Sequence, residues 1–115
     1  MEDYRKKYPL LFEDDSDTVR KKRYQQAISA AQKIADILKK DYHAEEVRLF
    51  GSLLDFGRFF LSSDIDIAER GIPREVFYSA YAKITREIRD FKIDLVDMED
   101  CREYMKKAIE SGKIL

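Results

Sequence analysis

At 115 residues, with 44% apolar side chains including seven Tyr and seven Phe, the chain can bury the core of one domain, which excludes a wholly disordered polypeptide. Its 22 basic and 23 acidic residues leave a net charge of −1, so no global basic field marks it as a coat for duplex nucleic acid. Cys101 is the sole cysteine, which excludes an internal disulfide, and no run approaches the ~18 apolar residues of a bilayer span.

Residues 1–17 are charge-dense, contain Pro9 and show no sustained periodicity, so an N-terminal arm is expected, with Leu10-Leu11-Phe12 as a patch able to dock. No signal-peptide core is present, and together with the lone cysteine this predicts a cytoplasmic protein. Over residues 18–40 the pattern changes. Tyr24, Ala27, Ile28, Ala31, Ile34, Ala35 and Leu38 recur at helical spacing, and Ser16, Asp17 or Thr18 can cap the start. The basic run Arg20-Lys21-Lys22-Arg23 opens this helix opposite its apolar stripe; it reads as a solvated face rather than an RNA patch. His43 stands alone in the following loop, without a second His or Cys to share a metal.

Residues 47–50 form a short strand that ends at Gly51, with a small helical turn expected after Ser52 and an irregular loop through Gly57. Residues 64–68 alternate strictly and predict a second strand. Pro73 sits where a first-turn proline belongs, and Phe77, Ala80, Tyr81, Ile84 and Ile88 continue a second long helix. Residues 93–96 give a third strand, and a last helix over 98–111 is stopped by Gly112. Strands alternating with helices place residues 18–115 in the α/β (α+β) class, as a small mixed sheet of at least three strands packed with helices. The helix between the second and third strands is long enough for a parallel crossover.

The second strand interrupts its apolar character twice. Residues two apart in a strand face the same way, about 6.6 Å apart, so Asp64 and Asp66 share one face while Ile65 and Ile67 fill the other. Asp is a poor strand former, and two on one face call for a counter-charge. Magnesium fits, because it prefers carboxylate oxygen and also accepts phosphate oxygens. Asp94 interrupts the third strand in the same manner. Three carboxylates from adjacent strands are the arrangement that holds two metal ions for in-line phosphoryl displacement. Asp97 faces the other way and is expected to cap the last helix. Gly51-Ser52, at a strand exit that opens a helical turn, supplies free backbone N–H groups and a hydroxyl for phosphate.

Gly51-Ser52, then Asp64-Ile65-Asp66, then Asp94, resembles the signature of the polymerase-β-type nucleotidyltransferases, and within them the minimal nucleotidyltransferases. The resemblance extends over residues 24–115. It implies a nucleotidyltransferase fold and transfer of a nucleoside monophosphate, expected to be AMP from ATP, to a hydroxyl with release of pyrophosphate. It also implies that Asp64 and Asp66 bind two Mg2+ ions, that Asp94 completes the metal site and helps deprotonate the hydroxyl, and that Gly51 and Ser52 hold the terminal phosphates. The loop between Ser52 and Asp64, LLDFGRFFLSS, is one residue longer than the family pattern. Asp55-Phe56-Gly57-Arg58 stands in place of the usual basic stretch, with Arg58 as the candidate for gripping the triphosphate. Phe59 and Phe60 can either pack this loop or stack on a base, and the packing role is expected. The chain has no room for an acceptor domain. The resemblance therefore implies a hetero-oligomer with a helical HEPN-family toxin, modified on a tyrosine, with this chain as the antitoxin. Two rivals stay open: a module that neutralises its partner by contact alone, and one subunit of a split small-molecule nucleotidyltransferase.

Overall fold

A computed structural model describes residues 15–115; the expected patch Leu10-Leu11-Phe12 lies outside them. Helix α1 (Asp15–Tyr42) begins before its periodic stripe, so Ser16, Asp17 and Thr18 lie inside the helix rather than capping it. Asp17 instead forms an i,i+3 ion pair with Arg20 at 3.7 Å. The helix ends with His43 at φ +61, and the Ala44 amide donates to the Leu38 carbonyl at 3.0 Å. That closure spans the seven residues 38–44, with His in the left-handed position that glycine usually fills at a helix end.

Four strands form one sheet in the order β3-β2-β1-β4, with β1 (Glu46–Phe50), β2 (Ile65–Arg70), β3 (Ile93–Asp97) and β4 (Lys113–Ile114). β1 runs antiparallel to β2, and β2 runs parallel to β3 through the crossover helix α2 (Arg74–Glu87). The mixed α/β architecture is therefore as expected, with β4 added. Two residues pairing with Arg48 and Leu49 carry no alternation for a sequence pattern to reveal. Pro73 precedes α2 by one residue, in its cap position.

One sheet face builds the main core. Ala27, Ala31, Ile34, Ala35 and Leu38 of α1 and Ala80 and Ile84 of α2 cover Val47, Leu49, Ile65, Ile67, Ile93 and Leu95. Alanines at three of the five α1 positions let that helix lie close to the sheet, and full burial of Ile34 contributes about 2–3 kcal/mol. Ile28, counted in the apolar stripe, is exposed because its position turns away from the sheet.

The opposite face is covered only in part. Helix α3 (Glu103–Glu110) lays Ile109 and Met105 over Phe50, Ala68 and Val96. It is shorter than expected, because residues 98–102 form turns rather than helix. Asp97 accordingly does not cap α3. Its carboxylate accepts from the Glu99 amide at 2.9 Å and its carbonyl from the Asp100 amide, which closes a turn at the strand end, and Arg102 precedes the helix without a side-chain cap. Among the described residues, no helix is long and apolar enough to cross a membrane.

Candidate functional site

On the partly covered face, Asp66 and Asp94 stand in register on parallel neighbours, β2 and β3. Register partners in a parallel pair project to the same side, so the two carboxylates share a patch. Asp64, just before β2 begins, adds the third by alternation. α3 stops short of this end of the sheet: Asp94 is exposed and Asp64 and Asp66 are half-buried. Asp97, three residues past Asp94, pairs with Glu69 on the other face.

Burial, and then the negative charges of Asp94 and Asp64, push the Asp66 carboxyl up to about 6. Three carboxylates without a cation repel one another. Among the described residues no three Asp, Glu, His or Cys side chains are drawn tightly enough together to make a ready-formed metal cage. The donor chemistry nonetheless fits a hard divalent cation, since every donor is a carboxylate oxygen and the most buried one is short of positive charge.

Gly51 lies directly against this patch. It follows β1 with φ +81, and a Cβ placed on it would collide with Asp66 Oδ2. Only a residue without a side chain gives the turn both that backbone conformation and that approach. Ser52 continues into a single 3-10 turn, Gly51–Leu54, whose Leu53 is anchored in the core. The second 3-10 turn, Phe56–Arg58, is capped by the Asp55 carboxylate, which accepts from the Gly57 amide at 2.9 Å. Arg58 is exposed at the end of that turn, and among the described residues no contact joins it to the carboxylates. The two phenylalanines separate. Phe59 is buried, edge-on to Tyr24, whereas Phe60 is 64% exposed beside an exposed Leu61. Phe60 and Ser63 exchange hydrogen bonds (Phe60 N to Ser63 Oγ, Ser63 N to Phe60 O), closing a tight turn just ahead of Asp64.

Two features escaped the sequence reading. Glu69, on the core face of β2, is fully buried, and its place two residues after Ile67 was the available signal. Arg20 and Arg23 are not a solvated face: both are half-buried and engaged with loops, while Lys21 and Lys22 are exposed. Their one-turn spacing, i and i+3, was the available signal. A cleft of 620 Å³ opens along the outer edge of β3 from Leu95 onward, between α2 and α3, with Tyr78 and Tyr104 on its rim.

A family model described as "Polymerase beta, Nucleotidyltransferase" matches residues 32–115. Among solved structures, the chain is similar to a toxin-antitoxin with AMP-PNP, at 26% identity and TM-score 0.59, covering 73% of this chain and 70% of that one. It is similar to the MntA-HepT toxin-antitoxin at 22% identity and TM-score 0.55, covering 74% and 68%. It also matches a tri-AMPylated Shewanella oneidensis HEPN toxin in complex with MNT antitoxin, at 22% identity and TM-score 0.56, covering 76% and 70%. The last two, at their level of identity, speak to the fold. No curated protein matches the chain significantly.

Proposed function

Because the chain belongs to the polymerase-β nucleotidyltransferase family, we propose that it is a minimal nucleotidyltransferase that transfers AMP from ATP to a tyrosine hydroxyl of a HEPN-type toxin, acting as the antitoxin of a cytoplasmic pair. The observation that carries this reading is the register of Asp66 with Asp94, placed against Gly51 at the exit of β1. Support for the nucleotide and the partner comes from the similar structures, one a toxin-antitoxin with AMP-PNP and one an AMPylated HEPN toxin in complex with its antitoxin.

In this reading Asp64, Asp66 and Asp94 hold two magnesium ions, which when bound offset the triphosphate's charge and align its α-phosphate. Gly51 brings its backbone against the terminal phosphates, and the Ser52 hydroxyl donates to one of them. The exposed Asp94 carboxylate accepts the proton of the attacking hydroxyl. The hydroxyl oxygen then bonds to the α-phosphorus as the bond to the β-phosphate oxygen breaks, and pyrophosphate leaves. The open cleft beyond Asp94 provides the side from which the acceptor segment approaches.

Intact-mass spectrometry of the partner after incubation with ATP and magnesium tests the proposal. The expected result is an AMP adduct on a partner tyrosine that Asp64→Asn and Asp66→Asn both abolish. A tight complex that never gains the adduct would instead favour neutralisation by contact.

A further inference from the structure

The loops that feed β2 and β3 are both gripped by one turn of α1. Arg20 Nη1 donates to the Phe56 carbonyl at 2.6 Å and to the Phe59 carbonyl at 2.9 Å, and its guanidinium carbon lies 3.8 Å from the centre of the Phe56 ring. These carbonyls close the C-terminal end of the 3-10 turn Phe56–Arg58, where a cation is favoured. Tyr24 adds edge-on contacts to Phe56 and Phe59, with ring centres 5.2 and 5.3 Å away. One turn along the helix, Arg23 donates to the Asp90 carbonyl and stacks 3.8 Å over the Phe91 ring.

Each grip lies a few residues upstream of a strand that carries the carboxylates. The Phe56–Phe59 loop leads into Asp64 and Asp66, and the Asp90–Phe91 loop leads into Asp94. The two loops meet where the Ile65 amide donates to the Lys92 carbonyl at 2.9 Å, the first rung of the β2–β3 ladder. We infer that Arg20 and Arg23 are positioning residues, a two-point clasp on α1 that sets the separation of Asp64 and Asp66 from Asp94 and so the affinity of the metal site. The inference rests on the metal-binding reading above. Guanidinium is the suitable group, because it bonds two carbonyls through Nη1 while its planar face lies flat on an aromatic ring; an ammonium keeps the charge but has no plane to stack. The clasp opposes a specific force. The three carboxylates repel one another in the absence of metal, and the clasp adds to the β2–β3 ladder in holding the strand ends against that repulsion.

The test measures Mn2+ affinity by electron paramagnetic resonance, with a non-hydrolysable ATP analogue present, alongside amide hydrogen exchange. Arg20→Lys/Arg23→Lys is expected to bind Mn2+ about tenfold more weakly, the scale at which outer supports of metal ligands act. Exchange should accelerate over residues 57–64 and 90–94. Each single variant should show an intermediate loss, which covers the case in which the double variant folds poorly. Lys21→Ala/Lys22→Ala, which removes two charges from exposed neighbours where the Arg→Lys pair removes none, should match the parent protein. Unchanged Mn2+ affinity in the Arg variants, or an equal loss in the Lys variants, overturns the clasp. Parent protein that takes up no Mn2+ overturns the metal reading itself, a distinct result.

Discussion

Replacing Glu69 by Gln should raise the stability of the protein at alkaline pH and leave it nearly unchanged in mild acid. The Glu69 side chain is 0% exposed. Its Oε2 accepts from the Ile72 amide at 3.0 Å, whereas Oε1 has no hydrogen-bond partner. Burial, aided by the charges of Asp97 and Glu99 and opposed by the Ile72 amide, pushes its carboxyl from 4.5 up to about 7. An acid whose pKa is higher when folded favours the fold while protonated. Its contribution is therefore complete below about pH 4.5, falls as pH rises toward 7, and is absent above that. The rise corresponds to roughly 3 kcal/mol between the two limits. Glutamine keeps the acceptor for Ile72 and leaves one unpaired group, as the protonated acid does, but it never ionises. Urea denaturation of both proteins from pH 5 to 8.5 measures the difference directly. The gain from Glu69→Gln should grow with pH toward 2–3 kcal/mol, about the full linkage effect. Parallel curves, with the same gap at every pH, would refute the reasoning, since other titrating groups cancel in the difference.

Gly51→Ala places a Cβ against Asp66 at φ +81, so it should destabilise by more than the roughly 1–2 kcal/mol of left-handed backbone strain and weaken nucleotide binding. Gly57→Ala, whose Cβ meets only the Asp55 carboxylate at 3.4 Å, is the matched comparison for denaturation and nucleotide titration. His43→Gly relieves the left-handed position at the end of α1 and should stabilise by roughly 0.5 kcal/mol in urea denaturation, after allowance for glycine's entropy. Because Asp66 binds a proton until about pH 6, magnesium competes with that proton. Its affinity, measured by calorimetry, should be full near pH 7.5 and fall below pH 6.

Much of the fold was legible because its signals are local. α1 and α2 announce themselves by the spacing of Ile34, Leu38, Ala80 and Ile84, and β2 by the alternation of Ile65 and Ile67 with acids. Asp64, Asp66 and Asp94 stood out for a related reason: a charge on an apolar strand is conspicuous. What stayed hidden depends on tertiary contacts. Glu69 continues the face of Ile65 and Ile67 but lies just past the strand expected over 64–68, and the turn that brings the Ile72 amide to its carboxylate forms only in the folded chain. Arg20 and Arg23 continue the stripe of Tyr24, Ala27 and Ala31 by helical spacing, but as charged residues in a basic run they read as solvated until the loops fold back to meet them. Phe59 and Phe60 are chemically identical, and the closed turn from Phe60 to Ser63 decides which one is buried. Asp97 is a good cap in composition, but the turn it closes draws its carboxylate to Glu99 before α3 can begin.

Crystals grown with Mn2+ and a non-hydrolysable ATP analogue, and examined by anomalous scattering, test the central claim most directly. The account predicts manganese signal between the carboxylates of Asp64, Asp66 and Asp94, with the triphosphate lying across Gly51 and Ser52. Manganese held elsewhere, or a nucleotide seated away from the turn after β1, would contradict it.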